Sequence, residues 1–416
     1  MGGRADLRGV RALSLRKDTA AAGAREETAV SASVVPRIAE IAPADWDACA
    51  NPDPATCSPF LAHAFLNALE ASGCVGDRRT GWLPHHVTLA DANGGISACM
   101  PCYAKLHSAG EYVFDHAWAE AYERAGGAYY PKLQVAVPFT PVPGRRLLVR
   151  PGSGAERDKK LLAAAAVEVT RRLGASSLHV TFLTEHEWRV LAAQGFLRRT
   201  DQQFHWHNEG YATFDDFLAR LSSRKRKTVR KERTEALSQG LTIERIAGGA
   251  LTEAHWDAFF AFYQDTGGRK WGRPYLNRRF FSLLGEAMAD RCLLIMAKRG
   301  DRYVAGALNL LGGDCLYGRY WGAIERHPCL HFEICYYQAI EYAIEMGLAR
   351  VEAGAQGEHK LARGYMPATT YSAHWIADSS FRQAVARYLE SEREHVAETI
   401  EALSELGPYR KSPPEG

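Results

Sequence analysis

The stretch Val351–Trp375, VEAGAQGEHKLARGYMPATTYSAHW, decides how this chain is read. It enters as a strand and leaves as a strand, Tyr371–Ile376. Between them Glu358, His359, Lys360 and Arg363 fall within six residues, framed by Gly354, Gly357 and Gly364. Glycine opens backbone conformations closed to other residues, so a tight loop can aim several charged side chains at one point. Ionisable groups held this close perturb one another's proton affinities when the loop lines a cleft, and proton-transfer chemistry needs that condition. The same spacing also suits a solvated turn.

Just upstream, His331–Met346 has helical spacing, with Phe332, Cys335, Tyr336, Ala339, Ile340 and Ala343 on one face, and stops at Gly347. Cys335 inside it reads as a core residue rather than a nucleophile. Leu348–Ala353 is the strand that delivers the charged loop. Before the helix, Cys292–Lys298, Val304–Leu311 and Cys315–Gly322 read as three antiparallel strands. The last of them, LYGRYWG, exposes Arg319 and Tyr320 or Trp321 on alternate faces. Farther back, Phe214–Leu237 reads as a helix carrying seven Lys or Arg between Ser222 and Arg233, with Glu232 the one acid among them. Positive charge so little interleaved favours an anion-facing role, and Arg226, Arg230 and Lys231 are the candidates to hold donor phosphates. Thr266–Arg273, TGGRKWGR, is a second basic loop.

The first half follows the same plan. Leu147–Val149 precedes the loop Arg150-Pro-Gly-Ser-Gly-Ala155, then an Ala-rich helix to Leu173, a strand Leu178–Leu183, a helix Glu185–Gln194 and a strand opening at Gly195-Phe196. Backbone N–H groups at a helix N-terminus attract phosphate, which makes Arg150, Gly152 and Gly154 a candidate pyrophosphate cradle. A plain turn is the simpler reading of so short a loop. Ser108–Trp118 is dense in aromatic and acidic residues, and Glu111, Asp115, Tyr130 and Lys132 are candidates to line a substrate cleft between the two halves.

The chain has 416 residues, room for two cores, and a net charge of +3, so any basic partner site must be local and no DNA partner is expected. Its nine cysteines are scattered, without zinc-ribbon or disulfide spacing, which points to a reduced, cytoplasmic protein. His327 and His331 are separated by Pro328, so a shared helical face is not expected and no metal is assigned. No apolar run is long enough for a membrane span. Residues 1–34 read as a tail, 35–205 and 206–406 as two domains, and 407–416 as a frayed end.

Several segments together resemble one family. HWHNEGYATFDDFLARLSSRKRKTVRKER, FEICYYQAIEYAIEMGL and EAGAQGEHKLARGYMP, with SPFLAHAFLNALE, SAGEYVFDHAW and YYPKLQVAVPFTPVPGRRLL from the first half, are similar to the FemAB-like N-acyltransferases of Gram-negative bacteria. The strand, loop, helix, strand order of each half likewise resembles the GNAT fold. The resemblance implies an α/β protein of two tandem GNAT-like domains, with mixed, mostly antiparallel sheets flanked by helices. It further implies transfer of an acyl or aminoacyl group to an amine. Wider FemAB relatives use aminoacyl-tRNA as donor and other GNAT enzymes use acyl-CoA, so both are candidate co-substrates, tRNA is a candidate partner, and no tightly bound cofactor is expected. In the second half the phosphate cradle would fall at Glu325–Leu330, which has no glycine and contains Pro328; this weakens the case for CoA.

The reaction expected is direct attack of an amine on a carbonyl. Glu358 or His359 would take the amine's proton, and Lys360 or Arg363 would stabilise the oxyanion. Arg319 and Tyr320 would contact substrate. The competing expectations are an RNA-binding module built on the basic helix and Arg269–Arg273, and a scaffold with an inactive GNAT shell.

Overall fold

A computed structural model describes residues 12–15, 30–91, 93–238, 240–270, 274–354 and 357–410, with the backbone alone at 12–15, Val30, Arg269, Lys270 and Glu358. The chain forms two units. The first takes the described residues up to Asp53, Phe60–Asp201 and Thr370–Glu394; the second takes Pro54–Pro59, Gln202–Thr369 and the described residues from His395 on. The expected boundary at 205/206 thus lies close to the observed change, but neither unit is one continuous segment. Tyr371–Ile376 pairs with Ser177–Leu183, so a strand late in the chain completes the first unit.

In the first unit, one sheet runs Ala12–Leu15, Val30–Val35, His86–Ala90, Ile96–Met100, Leu148–Val149, antiparallel throughout. Within the stretch 1–34 expected to be a tail, residues 12–15 and 30–34 are strands, and the rest lies outside the described residues. Ala32 and Val34 alternate inward, an apolar period of two that fits a half-buried strand. The other strands of this unit run in the order Ser177–Leu183, Lys132–Val135, Cys102–Lys105, Trp82–Pro84. Lys132–Val135 lies parallel to Ser177–Leu183, and the helix Ala155–Arg172 makes the crossover that such a pair requires. Leu162, Ala165, Ala166 and Val169 of that helix pack on Val87, Met100, Leu133 and Val180.

In the second unit the order is Leu241–Ala247, Cys292–Arg299, Arg302–Leu311, Cys315–Ala323, Arg350–Glu352 and the latter part of Leu197–His207. Every pairing is antiparallel except Cys315–Ala323 with Arg350–Glu352. The expected three-strand meander is therefore present, and a helical segment, Leu330–Glu345, makes the parallel crossover. Its Ala339, Ile340 and Ala343 pack on Leu293, Ile295, Leu316 and Val351. At the end of the chain Tyr409 bridges Leu221 and its hydroxyl donates to the Gly364 carbonyl at 2.7 Å, so residues 407–410 are anchored rather than frayed. Residues 411–416 lie outside the described residues.

Candidate active site

The parallel pair fixes the site. Tyr317 lies opposite Glu352, the last residue of its short partner strand, while Cys315–Ala323 runs on. Ligand sites in such sheets form beyond the carboxyl ends of parallel strands. On its other side the long strand pairs Leu308 with Tyr320 but Asn309 with Gly318, so Arg319 is the extra residue of a β-bulge. Bulges re-aim side chains. Strict alternation would send Arg319, Tyr320 and Trp321 to alternate faces, yet all three line one cavity of about 450 Å³.

The opposite wall comes from the glycine-framed loop. Gly357 has φ +115° and Gly364 φ +95°, in the left-handed half of backbone space. Glu358–Arg363 between them winds into a 3₁₀ turn rather than an open loop. Lys360 lies almost wholly inside, with Nζ donating to the Gly354 carbonyl at 2.7 Å. The Arg319 Nη1 sits 3.9 Å from where a Gly354 side chain would begin. Two cations thus converge on Gly354. Burial, and then the Arg319 charge, pull the Lys360 amine down to about 7; burial also lowers the Arg319 guanidinium. His359 is exposed, and its Nε2 meets the Tyr336 hydroxyl at 2.8 Å. The side chain of Glu358 lies outside the described residues.

The third wall is the crossover helix. Glu333–Tyr337 forms a π turn within it, a feature frequent at functional sites. This turn brings Cys335 and Tyr336 to the cavity while both still pack against the core of the unit, as the helical spacing of Cys335 suggests. Among the described lining residues none is acidic. A second cavity of about 600 Å³ adjoins through Trp321 and His331 and reaches Glu325–Pro328, the segment before the helix. Glu325 there is paired with Arg299 at 2.9 Å and with His327 at 3.0 Å. Among the described residues no cluster of His, Cys, Asp or Glu suits a metal ion.

Arg363 does not line this cavity. It forks onto Glu232 at 2.7 and 3.1 Å, donates to the His359 carbonyl at 2.6 Å and lies 3.4 Å from the Phe332 ring centre. Its charge is neutralised where it sits, which fits holding the loop rather than meeting an oxyanion. Glu232 belongs to the basic helix Ser223–Leu237 and also accepts from the Tyr337 hydroxyl. That helix turns Val229, Glu232, Arg233 and Ala236 inward, with Arg233 bonded to Glu333 and Glu341. Arg224, Lys227, Arg230 and Lys231 face outward and Arg226 is half-buried. Arg230 touches Asp215 at 3.1 Å. None of Arg226, Arg230 and Lys231 reaches either cavity wall. Of the second basic loop, the side chains of residues 269–273 lie outside the described residues.

The first unit's candidates are engaged differently. Arg150 donates to the Ile96 carbonyl at 2.6 Å and to Asp45 at 2.7 Å. Behind Gly152 and Gly154 the helix carries Glu156 and Asp158 in its first turn, which occupy the positive end of the helix dipole. That loop therefore has little left for a phosphate. Lys132 Nζ, wholly buried, donates to Glu111 at 2.7 Å, to Ser108 at 2.8 Å and also to Asp115. The Tyr130 hydroxyl meets Ser108 at 2.8 Å. Burial alone would raise the Asp115 carboxyl, but Lys132 and His179 hold it below the usual carboxylate range. Glu111, Asp115 and Lys132 form a closed ionic cluster inside the first unit, with their charges turned on one another.

Sequence reasoning gave no site role to Asn309 or Tyr336 and offered Trp321 only as the alternative to Tyr320. The π turn and the bulge leave the apolar pattern unchanged, so spacing carried no signal for them.

The chain is similar in fold to FemX, with TM-score 0.52 and 13% identity over 83% of this chain and 98% of that one. It also aligns with L-PGS from Bacillus licheniformis, at TM-score 0.47 and 10% identity over 85% and 98%. A tandem GNAT protein from the clavulanic acid biosynthesis pathway gives TM-score 0.45 and 11% identity over 84% and 99%. No curated protein matches the sequence. No helix among the described residues is long and apolar enough to cross a membrane. The model of the FemAB-like family, described as peptidoglycan biosynthesis/recognition, matches residues 37–411. With two units of the expected α/β architecture and a family match over most of its length, the chain belongs to the FemAB-like family.

Proposed function

We propose that the second unit transfers an acyl or aminoacyl group from a phosphate-bearing donor to an amine, with the bond made in the cavity between Arg319 and Lys360. The observation that carries this reading is the convergence of those two cations on Gly354, in a cavity whose described walls hold no carboxylate. An amine attacking a carbonyl drives negative charge onto oxygen, and fixed donors in a water-poor site stabilise it far better than water does. Arg319 is permanently charged and supplies that stabilisation. The attacking amine must shed a proton. Lys360, with its amine near 7, and His359, hydrogen-bonded to Tyr336, are placed to take it. Glu358 stays a candidate by its place in the loop.

The outward cations of the basic helix favour a polyanionic donor, aminoacyl-tRNA, over a compact one. The larger cavity at the start of the crossover helix supports acyl-CoA as the second reading. The family description supports an amine of a cell-wall precursor as acceptor.

Thermal shift tests the donor. A ligand that binds the native state alone raises the melting temperature by mass action. Charged tRNA should raise it, and Arg226→Ala with Arg230→Ala should abolish the rise. A shift with acyl-CoA alone would replace the first reading by the second. No shift with charged tRNA, acyl-CoA or free CoA would leave a non-catalytic scaffold.

A further inference from the structure

Two residues lining the 450 Å³ cavity, Tyr336 and His359, form a hydrogen-bonded pair, with the Tyr336 hydroxyl 2.8 Å from His359 Nε2. Both rings are held. Tyr336, 3% exposed, stands in the π turn with its ring edge-on to His331 and Tyr365, 5.3 and 5.4 Å between centres. The His359 imidazole lies against Gly357, where a side chain would begin 2.5 Å from Cε1, so only glycine leaves room for it. His359 is also engaged beyond the Tyr336 bond. Burial, and then Cys335, raise the Tyr336 hydroxyl above its ordinary range, so it keeps its proton at neutral pH and is a donor to nitrogen. A neutral imidazole has one acceptor nitrogen. With Tyr336 donating to Nε2, Nδ1 carries the ring proton, and a substrate amine finds no open acceptor on that ring. The acceptor it meets in the wall is the Tyr336 oxygen.

We propose that Tyr336 is a catalytic residue of the transfer: its hydroxyl oxygen takes the attacking amine's proton as its own proton passes to His359 Nε2. The inference rests on the transfer reading above and narrows it, since the proton goes to the Tyr336–His359 pair rather than to Lys360. The amine N–H bond breaks as an O–H bond forms, and the original O–H bond breaks as Nε2–H forms. The imidazolium then carries the positive charge while the phenol stays neutral. When the tetrahedral species collapses, the bond from the carbonyl carbon to the donor's leaving atom breaks, and the proton returns to that atom by the same path. Lys360 keeps its bond to the Gly354 carbonyl, beside Arg319. The other titratable walls of the cavity are His331, Cys335 and Tyr320.

Transfer from radiolabelled aminoacyl-tRNA, and in a second arm from acyl-CoA, to an amine-bearing cell-wall precursor tests the assignment. Tyr336→Phe keeps the ring and removes the relay; it should lower kcat by about 100-fold or more with KM changed by less than about twofold. His359→Gln should do the same, and the double variant should be no slower than the slower single one, because the two residues act as a unit. Nitrogen NMR of the full chain labelled at histidine needs no substrate, and the His359 signal is assigned by its loss in His359→Gln. It should show the Nδ1–H tautomer. Tyr336→Phe should raise the imidazole pKa, because a donor to the neutral ring favours the neutral form. Circular dichroism of each variant separates lost transfer from misfolding. Transfer by Tyr336→Phe within about threefold of wild type, or an Nε2–H tautomer, overturns the proposal and leaves the transfer reading standing. Absence of transfer by the wild type in both arms overturns the two together.

Discussion

Arg363 holds the charged loop to the basic helix, and its removal should show how much. Its guanidinium is 8% exposed and its partner Glu232 14% exposed. Breaking a buried ion pair from one side costs about 3–5 kcal/mol, because the remaining charge is left uncompensated. Glu232 keeps the Tyr337 hydroxyl and some contact with water, which places Arg363→Met toward the low end, about 3 kcal/mol. Losing the charged bond to the His359 carbonyl adds about 1 kcal/mol. Urea unfolding of Arg363→Met, Glu232→Gln and the double variant measures the pair, and the coupling energy should be about 2–3 kcal/mol. Arg363→Lys keeps charge but loses the fork, and should recover less than half of the loss. A coupling below about 0.5 kcal/mol would refute the assignment and return Arg363 to the oxyanion candidates.

Two further perturbations follow from buried charges. In the folded chain Lys360 loses its proton near pH 7, whereas unfolded lysine holds one to about 10.4. Between those values the unfolded state carries the extra proton, so stability rises with pH there. Lys360→Met should remove that part of the slope and be the more stable protein at pH 6–7 by about 2 kcal/mol, read from melting curves across pH; a parallel slope in the variant would contradict the burial argument. In the first unit Lys132→Met strands Glu111 and Asp115 and should cost about 3–5 kcal/mol at neutral pH. The loss should shrink below pH 5 as the carboxyls take up protons, checked by the same melts, and a loss independent of pH would contradict it.

The layout of the second unit was legible because its strands and crossover helix repeat their apolar residues with the right periods. The glycines around Glu358–Arg363 likewise gave the loop its place. What they did not give was direction. Lys360 and Arg363 are three residues apart, yet one turns into the cavity and the other to Glu232, a partner 131 positions away. Such pairing is invisible without the fold. The basic helix misled in a related way: Glu232, read as the lone interruption of a positive surface, is the residue that faces inward. Arg319 was read by strict alternation, and a one-residue bulge undoes alternation without altering composition. In the first unit Glu111, Asp115 and Lys132 look like site residues because charges are rare in apolar segments, but charges can be buried by answering each other. The strand Val30–Val35 was lost in a stretch whose small residues resemble a linker.

The most direct measurement is transfer itself. The protein is mixed with radiolabelled aminoacyl-tRNA and an amine-bearing cell-wall precursor, and label on the precursor is followed for wild type, Arg319→Met and Lys132→Gln. The account predicts transfer by wild type and a loss of about 100-fold or more in Arg319→Met, the effect of removing one donor to a developing oxyanion. Lys132→Gln, wherever it remains folded, should retain the wild-type rate. Transfer that survives Arg319→Met within twofold, or that fails in a folded Lys132→Gln, would place the chemistry outside the Arg319–Lys360 cavity.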